Sequence, residues 1–244
     1  MTTLYEANNH ILIHTDTIQP AQHRHMAAHI IVSLDECLTV QADGMEYLCH
    51  GIMLPSDVSH TVDSQNHRML VFLYDSSTDV SKQIQKITCI PEASCRKIAR
   101  LYDDLEMSYT PQNYGLFEKA VSAELGITGS ASQINDERIL YAMGYIRSMS
   151  SEKVTCQAVA DAVHLSQSRF SHLFREQVGM TFAAYLIYQR IMVVYTRMLL
   201  GKSITEAALA AGFSSSAHFA DVNRRVFGIP ASAIVHDMTF IKVQ

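Results

Sequence analysis

Four histidines in the first sixty residues have a spacing that could bind a metal ion. His23, His25 and His29 occupy odd-numbered positions, so a regular strand would place their imidazoles on one face. His60 follows 31 positions after His29, behind the pattern Gly51-x3-Pro55. Converging neutral imidazoles suit Zn, Ni, Cu or Fe. A divalent metal, an organic effector pocket and a structural cluster are the interpretations that these residues leave open.

A second set of residues, in the last hundred positions, repeats one pattern twice. Ala160-x3-His164-Leu165-Ser166 leads into Phe170-x3-Phe174-x4-Gly179, and Ala208-x3-Gly212-Phe213-Ser214 leads into Phe219-x3-Asn223-x4-Gly228. A small residue, a tight turn, a serine that caps a helix and apolar residues four apart predict two crossing helices. Two such units joined by one helix are typical of proteins that bind successive segments of DNA major groove.

The charges divide unevenly between the two halves of the chain. Residues 1–134 contain 8 basic and 16 acidic residues, a net charge of −8, whereas residues 135–244 contain 11 and 8, a net charge of +3. A phosphate backbone attracts the second half and repels the first. The repeat therefore lies in the half of the chain that is electrostatically suited to nucleic acid.

The N-terminal half must supply the elements that position the histidines. Short apolar or alternating runs at 11–15, 29–34, 37–41, 45–49 and 69–74, separated by turn residues, predict a small antiparallel barrel or sandwich in residues 1–80. Residues 81–128 change to helical periodicity. Their two amphipathic helices, divided by Pro111, complete the N-terminal core or form a dimer contact; the apolar residues on their faces are Ile98, Leu101, Tyr102, Leu105, Leu116, Phe117, Ala120 and Val121.

A small, polar, glycine-rich stretch at 129–134 is the predicted linker to a helical domain at 135–244. Thr155, Ser166 and Thr181 are predicted helix caps, and Gly201 is a predicted stop. His164 falls at the first turn, where a left-handed backbone is expected. The helix from Thr181 to Leu200 would span about 28 Å, close to the ~34 Å between adjacent major grooves on one duplex face.

Composition and motifs exclude several other classes of protein. The chain has no run of about 18 apolar residues and no signal-like start, so we expect a cytoplasmic protein that does not span a membrane. Its five cysteines are odd in number and form no C-x-x-C motif, which indicates reduced thiols with no disulfide framework and no cysteine-rich zinc site. Nucleophile-elbow, phosphate-loop, zinc-protease and dinucleotide fingerprints are absent from the sequence.

The segments 165–186 (LSQSRFSHLFREQVGMTFAAYL) and 204–230 (ITEAALAAGFSSSAHFADVNRRVFGIP) resemble the AraC/XylS transcriptional regulators. The resemblance covers about residues 138–235. It implies a bacterial regulator whose C-terminal half binds promoter DNA and whose N-terminal half resembles a cupin-like barrel that senses an effector or dimerises. The histidine pattern is similar to the two cupin motifs, although His29 stands where a glutamate is common.

The resemblance also assigns roles within the two DNA-binding helices. In the first helix, Ser168, Ser171 and His172 would face base edges, while Gln167, Arg169 and Arg175 would lie nearer the phosphates. In the second helix, the base-facing positions are Ser216, Ala217, His218 and Asp221, with Arg224 at the backbone. No Arg or Gln among these is an obvious partner of G or A, which leaves more of the recognition to phosphates and DNA shape.

Two residues depart from the family pattern. Asp221 places a carboxylate toward DNA, which costs affinity unless it accepts from a cytosine amino group. Asn223 replaces the aromatic residue that Phe174 supplies in the first unit, and a buried asparagine needs hydrogen-bond partners. The segment after Pro230 also lacks the usual Tyr-Arg. We therefore expect a second unit that is packed differently from the first.

These observations predict an α+β protein with an N-terminal cupin-like barrel and a C-terminal all-helical DNA-binding domain. The predicted function is transcriptional regulation, not catalysis, with promoter DNA, RNA polymerase, a small-molecule effector and a second copy of the chain as partners. One alternative is a cupin-type metal-dependent enzyme that binds a redox metal through His23, His25, His29 and His60. Another is a scaffold that binds proteins through its helices.

Overall fold

The computed structural model describes residues 2–7, 9–16, 22–24, 27–76, 78–128, 134–148, 154–227 and 238–243. The chain divides into two compact units. The first contains Met1–Ala131, Arg225–Ile229 and His236–Gln244, and the second contains Ser132–Arg224 and Pro230–Val235.

The first unit holds all the strands that the structure describes. They are β1 (Thr2–Glu6), β2 (His10–Thr15), β3 (Ala28–Ser33), β4 (Leu38–Ala42), β5 (Met45–Cys49), β6 (Gly51–Leu54), β7 (His60–Asp63), β8 (Met69–Tyr74), β9 (Thr88–Cys89) and β10 (Met238–Lys242). The strands β2, β3, β4, β5 and β8 lie where the apolar runs predict them. β1, β6, β7, β9 and β10 are additional.

The strands form two sheets across the described residues, which is the sandwich alternative of the sequence prediction. Across the described residues, one sheet has the order β10-β1-β2-β8-β3-β6-β9 and the other the order β5-β4-β7. The neighbouring strands are antiparallel except for β1 and β10, which are parallel. The ring of His29 on the large sheet lies 4.6 Å from the ring of His60 on the small sheet, so the two sheets face each other there. The β-rich first unit is therefore as predicted, while a cupin-like closed barrel is not confirmed across the described residues.

A helix pair covers the other face of the large sheet. The helices of this unit are α1 (Asp79–Gln83), α2 (Glu92–Met107) and α3 (Pro111–Glu124). Leu12 and Phe72 of the sheet share one apolar core with Ile98 of α2 and Phe117 of α3. The helix pair therefore completes the core of its own unit, which is the intramolecular interpretation of its periodicity.

The predicted apolar face of α3 needs one correction. Leu116 was expected in the core but is 65 % exposed, and Tyr114 is fully buried in its place. The ring of Tyr114 packs 5.4 Å from that of Tyr5 on β1. α3 buries the face that carries Tyr114 because this face packs against an aromatic residue of β1. Helical spacing alone cannot specify that partner.

The last strand does not belong to the helical domain in which the sequence places it. β10 pairs with β1 in parallel, from Thr2 opposite Met238 to Glu6 opposite Lys242. The backbone amide of Val243 continues the ladder by donating to the carbonyl of Glu6 at 3.0 Å. Ile241 and Val243 pack against the core of the first unit. The final segment of the predicted 135–244 domain therefore belongs to the first unit.

The second unit is helical throughout its described residues. Its helices are α4 (Glu137–Ser148), α5 (Cys156–Ala162), α6 (Gln167–Val178), α7 (Phe182–Leu199), α8 (Ile204–Ala210) and α9 (Ser216–Phe227), the last of which extends past Arg224. Phe174 contacts the rings of Phe170, Phe182 and Tyr185 at centroid distances of 5.3 to 5.7 Å. This aromatic cluster joins α6 to the start of α7.

No single helix in the described part of the chain is long and apolar enough to cross a membrane. The pair α6 and α7 meets the hydropathy criterion only when taken together, across a bend of 63°.

Candidate nucleic-acid interface

The first helix-turn-helix unit consists of α5, a short turn and α6. Thr155 caps α5 by accepting a hydrogen bond from the backbone amide of Ala158 at 3.1 Å, and Ser166 caps α6 by accepting from Arg169 at 3.3 Å. His164 lies in the turn with φ of +56°, as predicted. Gly179, with φ of +77°, ends α6 in the left-handed conformation that glycine adopts without strain. The turn and both caps fix the direction of α6.

The second unit, α8 to α9, repeats this design with one extra residue in its turn. Ser203 and Glu206 form a reciprocal capping box at α8, and Gly212 occupies the turn with φ of +82°. The backbone amide of His218 donates to Oγ of Ser215 at 3.0 Å, so Ser215 caps α9 in place of the expected Ser214. The added residue moves the start of α9 to the fourth position after the turn residue, whereas α6 starts at the third.

Small and aromatic residues hold each pair of helices together. Ala160 and Ala208 are fully buried at equivalent points, which allows the helices to approach closely. Phe170 and Phe219 are also fully buried. Burial of these positions leaves the opposite faces of α6 and α9 to the solvent.

The exposed face of α6 carries five of the six residues assigned to DNA contact there, namely Gln167, Ser168, Arg169, His172 and Arg175. Ser171 is half-buried, and its hydroxyl donates to the carbonyl of Gln167 at 2.8 Å. The Ser171 hydroxyl also lies 3.4 Å from the Cys156 thiol. The first helix thus presents two guanidinium groups, an imidazole and short polar side chains on one surface.

The exposed face of α9 carries Ala217, His218, Asp221 and Arg224, while Ser216 is half-buried. The ring of His218 interacts with Ser214 in the turn that precedes α9. Its Nδ1 lies 2.9 Å from Oγ of Ser214 and accepts from the backbone amide of Ser214 at 3.4 Å. Because Nδ1 accepts from that amide, the neutral ring carries its proton on Nε2.

The helix α7 connects the two units. It has 18 residues, which corresponds to about 27 Å of helix. Gly201, with φ of +80°, follows its end, as the sequence predicts. A connecting element of this length is comparable with the ~34 Å between successive major grooves on one face of a duplex.

Three of the four predicted ligand histidines lie together in the first unit. The backbones of His23 and His60 exchange two hydrogen bonds, at 3.0 and 2.9 Å, and their rings are 4.4 Å apart. The ring of His29 also lies close to that of His60, with centroids 4.6 Å apart. His25 lies outside the described residues. β3 begins only at Ala28 and His23 forms an isolated bridge with His60, so His23 and His29 do not share one regular strand.

The electrostatics of this cluster favour a neutral ring at His60. Burial lowers the pKa of His60 to about 4, and its Nδ1 donates to the carbonyl of Val58 at 2.8 Å. Among the described residues, no three His, Cys, Asp or Glu side chains have an arrangement that could hold a metal ion. A metal bound with the help of His25 stays a prediction.

Sequence reasoning missed a buried polar group between β2 and α3. Nε2 of His10 lies 2.8 Å from the Tyr114 hydroxyl, and its Nδ1 lies 3.7 Å from a carboxylate oxygen of Glu118. Burial lowers the pKa of His10 to about 3 and raises that of Glu118 to about 7. His10 occupies an alternating position of β2, but only the tertiary fold brings α3 over it.

A helix-turn-helix domain family matches residues 159–236. A transcriptional activator of Enterobacter sp. (strain 638), RhaS, is 31 % identical over 96 residues, which cover 38 % of this chain and 34 % of that protein. The chain thus spans about a third of the length of the curated relatives that it matches. These relatives are named as activators, and the comparisons give no support to the alternative of a metal-dependent enzyme.

Solved structures resemble the chain over nearly its whole length. ToxT from Vibrio cholerae O395 aligns with a TM-score of 0.52 at 11 % identity and covers 93 % of this chain and 97 % of that one. A second structure, of unsaturated fatty acid bound ToxT from V. cholerae strain SCE256, aligns with a TM-score of 0.50 at 12 % identity, over 93 % and 95 % of the two chains. At this identity the likeness concerns the fold. The helix-turn-helix segment of this chain, residues 159–236, is thus similar to that of the RhaS transcriptional activators.

Proposed function

We propose that this protein regulates transcription by binding promoter DNA through α6 and α9 in two successive segments of major groove. The observation that carries this proposal is the duplication: two capped helices, each with a buried apolar face and an exposed polar face, joined by α7. An exposed recognition helix behind a tight turn is the element that enters the major groove in helix-turn-helix proteins.

The exposed residues divide by chemistry into two groups. Arg169, Arg175 and Arg224 supply positive charge for phosphates. His172, His218 and Asp221, with the serines between them, supply the hydrogen-bonding groups that distinguish base edges. Ser171 takes part only if its hydroxyl leaves the Gln167 carbonyl. The base-facing set is therefore small, and phosphate contacts and DNA shape contribute more to affinity.

The first unit has the role of a regulatory domain in this proposal. Support comes from the buried His29 and His60 between its two sheets and from a polar cleft of about 170 Å³ along α2, lined in part by His50, Arg100 and Asp103. The ToxT structure with bound fatty acid shows an organic ligand in a protein of similar fold. A small-molecule effector, a homodimer, contact with RNA polymerase and a cytoplasmic location complete the proposal. An effector acts by binding one arrangement of the protein more tightly than another.

Selection of bound duplexes from a randomised pool, using the full chain, tests the DNA-binding proposal. We expect an enriched sequence with two short conserved blocks whose centres lie about 10 bp apart, one for each recognition helix. The Arg175→Ala and Arg224→Ala variants should bind the enriched duplex with lower affinity than the unmodified chain does. Lys119→Ala, which removes the same charge from the exposed surface of α3, is the matched control and should bind as the unmodified chain does.

Two results would contradict the proposal. The first is a chain that binds no duplex more tightly than bulk DNA at low salt. The second is an enriched site whose affinity responds equally to Arg175→Ala and to the Lys119→Ala control. Repeating the assay with candidate effectors, organic acids included, tests the regulatory role, since an effector of the first unit must change the affinity for DNA.

A further inference from the structure

Two cysteines that are 40 positions apart in the sequence approach each other across the two sheets. Cys49 ends β5 in the small sheet, and Cys89 ends β9 in the large sheet. Cys49 lies three positions before Ile52, the β6 residue that is paired with Cys89, and the neighbouring Cys89 thiol adds to the effect of burial in raising the pKa of Cys49. Both are free thiols in this structure. The sequence presents the cysteines as scattered, and only the fold places this pair together.

The strand register puts Cys49 on the inner face of the small sheet. Cys49 is paired with Leu38, and paired residues on neighbouring strands share a face. Ala42 lies on the same face of β4 as Leu38 and is paired with His60, whose ring contacts the large sheet. Cys49 is accordingly buried between the sheets.

The register of the large sheet places Cys89 on the face that is turned toward the small sheet. Cys89 is paired with Ile52, and Ile52 is paired with Ile31. Ile31 shares a face with His29, whose ring contacts His60 of the small sheet. Because β9 is the edge strand, Cys89 is exposed at the end of the space between the sheets.

We propose that Cys49 and Cys89 are a redox-active pair that hydroperoxides oxidise to a disulfide joining the two sheets. Exposed Cys89 is the thiol that meets the oxidant, and buried Cys49 is the thiol that closes the bond. The disulfide would link the end of β5 to β9, which precedes α2 by two residues. Oxidation would thereby tie the helix pair to the small sheet.

The reaction balances with hydrogen peroxide as the oxidant. The Cys89 thiol gives up its proton, its thiolate attacks one peroxide oxygen and the O–O bond breaks. The leaving hydroxide takes that proton, so a sulfenic acid and one water form. The Cys49 sulfur then attacks the sulfenic sulfur, the S–O bond breaks, and the leaving hydroxide takes the Cys49 proton as a second water. Two thiols lose two electrons, and one peroxide gains them.

The two other cysteines nearby, Cys95 and Cys37, have different surroundings. Cys95 lies on the other side of β6, where its sulfur approaches Gly51 so closely that an added Cβ would be 2.7 Å away. Gly51 is paired with Val32, which belongs to the core under the helix pair. The Cys37 thiol lies 3.4 Å from Nδ1 of His50. Burial raises the pKa values of Cys49 and Cys95 to about 12, so both stay protonated and exposed Cys89 reacts first.

Thiol counting and peptide mapping of the full chain test this proposal. The reduced protein is treated with hydrogen peroxide, alkylated with N-ethylmaleimide and cleaved after Lys, Arg and Glu. Cleavage after Glu46 and Glu92 separates Cys49 from Cys37 and Cys89 from Cys95, so that the four thiols fall in different peptides. We expect two of the five thiols to disappear and peptides 47–68 and 87–92 to be linked, with reversal by dithiothreitol.

Matched variants make the result decisive. Cys89→Ser changes an exposed residue and should abolish the link, whereas Cys37→Ser should leave it intact. The proposal is overturned if peroxide leaves all five thiols free, if Cys89 is oxidised only to sulfinic acid, or if the linked peptides come from another pair or from two chains. A link that persists in Cys89→Ser also overturns it.

Discussion

The hydroxyl of Tyr195 donates a 2.6 Å hydrogen bond to the side-chain oxygen of Asn223 inside the second helix-turn-helix unit. Both residues are fully buried. The first unit has Phe174 at the position of Asn223, packed edge-on against Tyr185 of the same connecting helix. The two copies thus use different chemistry at one point of contact with α7: aromatic packing in the first and a polar pair in the second.

Replacing Tyr195 with Phe should destabilise the second unit. The substitution removes the Asn223 partner while preserving the ring, and loss of a buried hydrogen bond of this kind costs about 1–3 kcal/mol. Urea unfolding followed by circular dichroism measures the change in free energy. Tyr141→Phe, on the exposed surface of α4, is the control and should unfold like the unmodified chain.

A second substitution separates the hydrogen bond from the packing. Replacing both partners, as in Tyr195→Phe with Asn223→Leu, removes the polar groups together and should cost less than the single Tyr195→Phe change. If the double variant loses more free energy of unfolding than the two single variants lose together, packing and not the hydrogen bond holds α9 to α7.

Arg175 and His172 should affect DNA binding in different ways. Arg175→Ala should weaken binding to all duplexes and lower the slope of log affinity against log salt by about one unit, because a phosphate contact is lost. His172→Ala should instead change the preference at one base position. Titrations of a set of single-base variants at several salt concentrations measure both effects. An unchanged preference profile for His172→Ala would refute its assignment to a base edge.

His218 should prefer a base that offers an acceptor in the major groove. Its Nδ1 is held at Ser214, so its Nε2–H is the group available to a base, such as a purine N7, a guanine O6 or a thymine O4. Ser214→Ala should weaken this preference by freeing the ring, and His218→Ala should abolish it. Selection from a pool randomised at the second block checks the order of the two effects. Equal profiles for Ser214→Ala and the unmodified chain would show that the tether plays no part.

Glu118 should make the first unit less stable as the pH rises. Its pKa is raised by burial from 4.5 to about 7, so the folded protein holds a proton on Glu118 that the unfolded chain has released. The stability that depends on this proton is complete below about pH 4.5 and is lost as the pH rises toward 7. Glu118→Gln should therefore increase the free energy of unfolding at pH 8 by about 1–3 kcal/mol and have little effect near pH 4.5.

The comparison with Glu124 gives this prediction a control on the same helix. Glu124 accepts hydrogen bonds from Lys97 and Ser94, which lower its pKa, so Glu124→Gln should reduce stability at pH 8. His10 has the opposite dependence to Glu118: its pKa of about 3 adds stability above pH 6.5 that is lost as the pH falls. Urea titrations at pH 5 and pH 8 measure all three variants, with His10→Gln as the third. Loss of stability at pH 8 in Glu118→Gln would contradict the assignment.

Local sequence signals predicted the helical unit well. The left-handed turn at His164, the caps at Thr155, Ser166 and Thr181, and the stop at Gly201 all depend on residues within a few positions of each other. Such signals act through short-range sterics and hydrogen bonds, so they survive in any tertiary context. The sequence also predicted that Asn223 needs a hydrogen-bond partner. It did not predict that this partner is Tyr195, 28 positions earlier.

The amino-acid sequence by itself determined the strand runs, the amphipathic helix pair and the duplicated helix-turn-helix pattern, because periodicity and turn chemistry are local properties of the chain. Only the tertiary structure decided that the strands form two sheets, that β10 returns to β1, and that Cys49 and Cys89 both face the space between the sheets. Those features depend on register between distant segments, and a register is selected by the packing of whole faces. The residues that adjoin each strand in the sequence do not specify this register.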